Sequence, residues 1–103
     1  MGEATATAIA TNAIPHVVNL SSNGAHLPDG MGPISGLHAV EQTLNTVASN
    51  MVHLRPGFFM ENYWMQLDAI RTAYQVFIPI TGDRRLAMIA TQDIANVATK
   101  LLL

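Results

Sequence analysis

The sequence predicts an α/β fold in which a short parallel sheet is flanked by helices. Three short apolar segments alternate with longer segments whose apolar residues recur at steps of three and four. This alternation is typical of right-handed βαβ units. The strand segments are apolar at nearly every position, as expected when helices cover both faces of a parallel sheet. At 103 residues, the chain corresponds to one small domain.

The first part of the chain predicts a helix, a strand and a long loop. Residues 3–13 are rich in Ala and Thr and favour a short helix that ends before Pro15. Residues 16–20 then read as a short buried strand. Residues 21–33 contain two prolines and three glycines, which exclude regular structure. Long loops in compact domains are often functional.

The middle of the chain predicts the next helix and strand. Residues 34–48 carry a helical stripe, and Ser35 is placed to cap it. Residues 51–54 form a second strand. The apolar stripe of the helix consists of Ile34, Leu37, Val40, Leu44 and Val47.

The last part of the chain predicts two helices and a third strand. A helical stripe extends from about Met60 to Tyr74. Residues 76–80 are apolar but contain Pro79, which indicates an edge strand or a loop. After a turn, residues 86–90 form the third strand, and Thr91 is placed to cap a final helix.

The composition indicates a domain with too little polar surface to cover itself. Half of the residues are hydrophobic and 12% are charged, whereas typical domains carry about 25% charge. A disordered chain is excluded, because it would be polar and highly charged. We expect a piece of a larger core, or a chain whose apolar surface is covered by a second copy or a partner protein.

Several other classes of protein are excluded as well. A net charge of −2 provides no basic surface for nucleic acid. The chain has no cysteine and no metal-ligand spacing among its histidines, so no metal is expected. No apolar run approaches the ~18 residues of a membrane helix, and no secretion signal precedes the first predicted helix. We therefore expect a cytoplasmic protein that does not bind membranes.

Candidate site residues follow the first two strands. Ligands of open α/β sheets bind outside the carboxyl ends of the strands, where Ser21 and Ser22 begin the first loop. These serines either meet a ligand or only form the turn. The second strand is followed by a segment that contains Pro56 and Gly57, and glycine allows a ligand to approach the backbone closely.

The same segment continues with two aromatic residues and an amide. Phe58 and Phe59 are interpreted either as an apolar wall for a flat ring or as plain core packing. Asn62 either donates a hydrogen bond to a carbonyl group or caps the following helix.

The candidate catalytic side chains are Ser22, His38 and Glu41. His38 and Glu41 are three positions apart on a predicted helix and are therefore neighbours. They form either a proton-transfer pair or a half-exposed hydrogen-bonded pair without catalytic function. The chain contains no GxGxxG motif and no P-loop, so a phosphate-binding turn is absent from its sequence.

Four segments together resemble the NmrA-like proteins, which are atypical short-chain dehydrogenases/reductases. Residues 54–62 are the most specific match. The resemblance extends over almost the whole chain from about Thr5. The four segments are residues 16–26, 36–44, 54–62 and 89–95.

The resemblance implies a Rossmann fold that binds NAD(P). It implies that Ser21 and Ser22 lie near the nicotinamide ribose, that the segment Pro56 to Phe58 lines the nicotinamide side, and that Phe59 and Asn62 border the substrate. Some members reduce quinones or other small carbonyl compounds, and others are regulators that sense NAD(P) without turnover.

The resemblance covers only the middle segment of such a protein. The family's Gly-rich first half and its C-terminal substrate part have no counterpart in this sequence. Residues 1–103 are therefore expected to form a partial NAD(P)-binding domain, an incomplete three-layer Rossmann-like fold. On its own the chain should have weak activity or none. The remaining alternative is an interaction module that completes its sheet with a partner.

Overall fold

The computed structural model describes residues 2–78 and 80–103, so Pro79 lies outside the described residues. Helices and strands alternate along the chain as the sequence predicts, except that two strands follow each other between the second and third helices. The elements are α1 (Gly2–Thr11), β1 (His16–Leu20), α2 (Ser35–Leu44), β2 (Asn50–Leu54), β3 (Phe58–Phe59), α3 (Leu67–Ala73), β4 (Met88–Ile89) and α4 (Thr91–Leu102). Two 3₁₀ segments, Gly32–Ile34 and Met60–Gln66, precede α2 and α3.

The predicted α/β class and its parallel strand pairing are confirmed. β1 pairs in parallel with β2, and Val17 lies opposite Met51 in the register. The layers follow from the alternation of side chains along a strand. Val17 and Met51 pack on one face against a core of Ala6, Ile9 and Leu44 from α1 and α2.

Helix α4 covers the opposite face of the same sheet. Val18, Leu20 and Leu54 line a recess together with Ile94 of this helix. At the far end of the helix, His16 Nε2 donates a 2.6 Å hydrogen bond to the carbonyl oxygen of Leu101. The sheet is therefore sandwiched between helices, which makes the three layers of an incomplete Rossmann-like fold.

The third strand differs from the sequence prediction. Residues 86–90 contribute only Met88–Ile89, which pair in parallel with Phe58–Phe59 as a separate two-stranded sheet. The Phe58 amide donates a hydrogen bond to the Ala87 carbonyl oxygen at 2.9 Å, which holds the two short strands side by side. The Phe58–Phe59 strand escaped prediction because two residues have no periodicity to detect.

The helix predicted over residues 60–74 is wrong as a continuous helix. Its first half is the 3₁₀ segment Met60–Gln66 and only Leu67–Ala73 is α-helical. Tyr74 then adopts a left-handed conformation with φ of 54° and ends the helix. The predicted apolar stripe is also largely uncovered, because Trp64 is 72% exposed and Tyr74 is 92% exposed.

Neither predicted helix cap is formed as expected. Ser35 makes no capping hydrogen bond, because the 3₁₀ turn before it places Ile34 at the cap position of α2. Thr91 is the first residue of α4 rather than its cap. Its amide and its hydroxyl both donate to Glu61 Oε1 at 2.9 Å. A carboxylate distant in sequence thus satisfies the start of this helix.

Among the described helices, none combines the length and the apolar character needed to cross a membrane.

Candidate functional site

A cavity of about 460 Å³ lies at the carboxyl ends of β1 and β2. It is called the main cavity below. All residues predicted to bind a cofactor or a substrate line it. They are Ser21, Ser22, Pro56, Gly57, Phe58, Phe59 and Asn62. The structure therefore brings both predicted loops to one site, as expected at the edge of a parallel sheet.

The two loops lie side by side because the strand pairing continues past the ends of the strands. The Ser21 amide donates to the Leu54 carbonyl oxygen at 2.7 Å. Two residues later, the Asn23 amide donates to the Pro56 carbonyl oxygen at 2.9 Å. These hydrogen bonds hold the serine loop against the start of the segment 56–62.

Gly57 lines the main cavity, but its lack of a side chain has a different local reason from the one predicted. A Cβ atom at Gly57 would lie 2.2 Å from the Ala87 carbonyl oxygen. Any larger residue would therefore separate β3 from β4. The glycine permits close approach of another strand; ligand approach is not needed to explain it.

The aromatic wall is partly fixed in place. The Phe58 ring meets the Tyr63 ring edge-on, with centroids 5.9 Å apart and planes at 65°. Phe58 and Phe59 are both half-buried, so they pack against the protein and still face the cavity. The two interpretations offered for these residues, ring wall and core packing, are compatible.

Two polar side chains of the main cavity are available to a ligand. The Ser22 hydroxyl makes only a long 3.3 Å hydrogen bond to the Asn23 carbonyl oxygen. The Asn62 amide makes no side-chain hydrogen bond to the residues that the structure describes. Asn62 lies inside the 3₁₀ segment, and Phe59 occupies its cap position. The helix-capping interpretation of Asn62 is therefore wrong.

Sequence reasoning missed the remaining walls of the main cavity. Met31 and Ile34 come from the end of the long loop, while Ile80 and Leu86 come from the segment before β4. Ile34 and Leu86 were assigned to a predicted helix and a predicted strand, but no local pattern indicates that segments so far apart in sequence meet at one cavity.

Beneath the serine loop, an ion pair joins the sheet to α2. Arg55 Nη2 lies 2.5 Å from Glu41 Oε2, and Arg55 Nε donates to Glu41 Oε1 at 2.9 Å. The Ser21 hydroxyl donates to the same Oε1 at 2.5 Å. Glu41 is 1% exposed, so both of its oxygens are satisfied inside the protein.

This arrangement determines the ionisation of Glu41. The hydrogen bonds from Arg55 lower the pKa of the Glu41 carboxyl to about 2, against the opposing effect of burial. The hydrogen bond from Ser21 acts in the same direction. A carboxylate with so low a pKa stays ionised at neutral pH and is a poor proton donor or acceptor there.

The predicted His38–Glu41 pair is not formed. His38 Nδ1 donates to the Ala25 carbonyl oxygen at 2.9 Å, whereas Glu41 binds Arg55 and Ser21. The pairing is wrong because both side chains find stronger partners on loops that helical spacing cannot reveal. Neither residue lines the main cavity. Of the three candidate catalytic side chains, only Ser22 does.

Arg55 is the residue that sequence reasoning overlooked. It lies in the segment that was singled out, yet its partner is on α2, 14 positions earlier. The available sequence signal for this pair was an acidic residue on a predicted helix, Glu41, and an arginine directly after a predicted strand, Arg55. Within residues 2–78 and 80–103, no group of three or more His, Asp or Glu side chains could hold a metal ion.

Comparison with known proteins finds similarity to a curated protein. An NAD(P)H azoreductase from Xenophilus azovorans is 32% identical over 103 residues, which cover 99% of this chain and 35% of that protein. The chain thus spans about a third of the length of this relative. No protein-family model matches the chain. No solved structure matches it either.

Proposed function

We propose that the chain contributes the nicotinamide and substrate end of an NAD(P)H-dependent oxidoreductase. The observation that carries the proposal is the main cavity, which gathers the predicted residues at the carboxyl ends of two parallel strands. The similarity to an NAD(P)H azoreductase supports the same class of activity.

The described lining of the main cavity suits a flat uncharged ring. Phe58, Phe59 and Leu86 offer apolar walls, while Ser22 and Asn62 offer hydrogen bonds for a group such as a carboxamide. No charged residue is among the lining residues that the structure describes. The nicotinamide end of the cofactor therefore fits, and the negatively charged phosphates require other groups.

The finer assignment follows the resemblance to the NmrA-like proteins. It makes the chain a middle segment of a Rossmann domain whose parent reduces a small carbonyl compound or a quinone. The bound nicotinamide would supply the hydride, while the residues of this chain hold the rings and exclude water. Activity of the chain alone should be weak or absent, because the sequence has no glycine-rich turn for the pyrophosphate.

A regulator that senses NAD(P) without turnover is the alternative. Carbonyl reduction needs a proton as well as a hydride. The described lining of the main cavity contains no His, Tyr, Lys, Asp or Glu side chain to supply one. This favours cofactor binding without chemistry, unless a further polypeptide segment or the solvent provides the proton.

Association with a second copy or a partner protein, and a cytoplasmic location, stay predictions. The exposed side chains of Trp64, Met65 and Phe77 support association, because each is more than 60% exposed. If the chain associates with a partner but binds no cofactor, its function is that of an interaction module that completes its sheet with the partner.

A cofactor titration followed by NMR tests the proposal. NADPH at millimolar concentration should shift the amide signals of Ser22, Asn23 and Gly57 in the folded chain. Ser22→Ala should weaken binding about 5-fold, the loss of one hydrogen bond. Ser49→Ala is the matched control, because Ser49 is exposed and does not line the main cavity.

Two results would count against the proposal. The first is a folded chain whose cavity amides do not respond to NADPH. The second is an equal loss of binding in Ser22→Ala and Ser49→Ala, which would place the cofactor elsewhere.

A further inference from the structure

A second recess adjoins the main cavity and contains two arginines. It encloses about 410 Å³, and its lining residues are Ile80, Thr81, Arg84, Arg85 and Leu86. Ile80 and Leu86 also line the main cavity. The two spaces therefore share an apolar wall, with an uncharged site on one side and two guanidinium groups on the other.

The two arginines belong to a tight turn over residues 81–85, called the arginine turn below. The Arg84 amide donates to the Thr81 carbonyl oxygen at 3.1 Å, which closes the turn. Asp83, the acidic residue of the turn, is engaged locally. The Thr81 hydroxyl and the Asp83 amide hold the pKa of that carboxyl below its usual range.

Arg84 and Arg85 are both exposed and keep their charge free for a ligand. Among residues 2–78 and 80–103, the ion pair with a nitrogen–oxygen distance within 4 Å joins Arg55 to Glu41. Neither Arg84 nor Arg85 takes part in it. The arginine turn thus places two unneutralised cations at one side of the recess. Guanidinium groups bind planar carboxylates and related oxyanions through paired hydrogen bonds.

We propose that the arginine turn binds the anionic group of a planar aromatic substrate whose ring occupies the main cavity. The proposal rests on the proposed function, in which the main cavity takes a flat ring. The described lining of that cavity carries no charge, so an acidic group there would find hydrogen-bond donors such as Ser22 and Asn62 but no opposite charge. Where the two spaces adjoin, beside Ile80 and Leu86, the same group would meet Arg84 and Arg85.

The substrate class is therefore an aromatic carboxylate or sulfonate rather than a neutral aromatic compound. The arginines should act mainly on affinity and specificity, because they do not line the main cavity, where the proposed function has the nicotinamide ring bind. Since both side chains are exposed, the attraction should weaken as salt concentration rises.

A matched pair of ligands tests the proposal on the full chain. 2-Naphthoate and 2-naphthamide share a ring system and differ in charge. NMR titration should show about 3–10-fold tighter binding of 2-naphthoate, the range expected for two exposed ion pairs. The double variant Arg84→Gln with Arg85→Gln should remove this advantage and leave 2-naphthamide unchanged. Arg71→Gln removes one exposed charge from α3 and should leave the affinity ratio as in the unmodified chain.

The outcomes separate this proposal from the proposed function. Equal binding of both ligands to the unmodified chain overturns the anion subsite and leaves the ring cavity standing. Failure of both ligands to bind overturns the ring cavity and the subsite together. Weaker NADPH binding in the double variant, with the naphthoate advantage retained, would assign the arginines to a cofactor phosphate and overturn the substrate assignment.

Discussion

The two faces of the β1–β2 sheet are packed to very different degrees. On one face, α1 and α2 bury Ala6, Ile9 and Leu44 to 6% exposure or less. On the other face, Ile94 of α4 is 9% exposed, and recesses of about 170 and 280 Å³ lie beside it. A recess of about 390 Å³ also lies along α1 and α2 on the first face, so the two faces differ in how many side chains they bury rather than in the presence of gaps.

The molecule as a whole is more extended than a compact domain of its length. Its radius of gyration is 16.7 Å, against about 13 Å for a compact domain of this length. Its accessible surface is 7398 Å², against roughly 5,700 Å² for a compact protein of this mass. Exposed apolar side chains contribute to this surface, and those of Trp64, Tyr74 and Phe77 lie in the segment between β3 and α4.

The largest effect is expected where the well-packed layer meets the main cavity, at Arg55. Arg55→Met would leave the buried Glu41 carboxylate with only the Ser21 hydroxyl as a donor. We expect a loss of about 3–4 kcal/mol in the free energy of unfolding, measured by urea denaturation followed by circular dichroism. The value is at the lower end of the usual range, because Arg55 is 39% exposed and water can replace part of its contact.

The matched control for this variant is Arg71→Met on α3, where an exposed arginine is removed. Its effect should stay within about 0.5 kcal/mol. Equal urea midpoints for the two variants would show that the Glu41–Arg55 pair does not stabilise the layer.

A smaller difference is expected between core truncations on the two faces. Leu44→Ala should cost about 3 kcal/mol, because Leu44 is 2% exposed in a closed core. Ile94→Ala should cost about 1–2 kcal/mol, because its side chain already borders two recesses and packs against fewer atoms. Urea denaturation of both variants measures the difference, and a loss at Ile94 equal to that at Leu44 would remove the contrast between the faces.

The smallest effect is a dependence on pH that belongs to Glu41. Its pKa is about 2 in the folded protein and 4.5 ordinarily, so below pH 4.5 the unfolded chain takes up a proton more readily. The stabilisation is complete above about pH 4.5 and is lost as pH falls towards about 2. Thermal unfolding between pH 6 and 2 should show this loss in the unmodified protein.

Glu41→Gln isolates this contribution, because glutamine does not titrate. Its stability deficit relative to the unmodified protein should shrink as pH falls through that range. A deficit that stays constant from pH 6 to 2 would mean that other carboxylates govern the acid response.

The parts of the fold predicted from sequence are those with clear local periodicity. β1, β2, α1 and α4 lie close to their predicted bounds, and α2 lies within its predicted range. The region between β3 and β4 was predicted poorly, because residues 60–74 carry a helical stripe that no partner covers. Without burial on one face, helical periodicity gives little stability, and half of the segment is a 3₁₀ helix instead.

The candidate site, too, was predicted only where local sequence patterns mark its residues. Ser21, Ser22 and the segment 56–62 were identifiable, because parallel strands bring their carboxyl ends to one edge of the sheet. The ion pair of Glu41 and Arg55 was not identifiable, since the partners lie on different elements and helical spacing favoured His38 instead.

The amino-acid sequence was sufficient to predict the α/β class, the parallel pairing of the first two strands and the edge where a ligand would meet the chain. These follow from local patterns, since alternating apolar segments and strand ends are visible residue by residue. Long-range packing is needed to show that Phe58–Phe59 pairs with Met88–Ile89, that Glu61 holds the start of α4, and that Ile80 and Leu86 line both the main cavity and the recess beside the arginine turn. Phe58 and Met88 are 30 positions apart, as are Glu61 and Thr91, and Ile80 is 18 positions from Asn62 in the main cavity. Local sequence pattern carries no record of which distant groups meet.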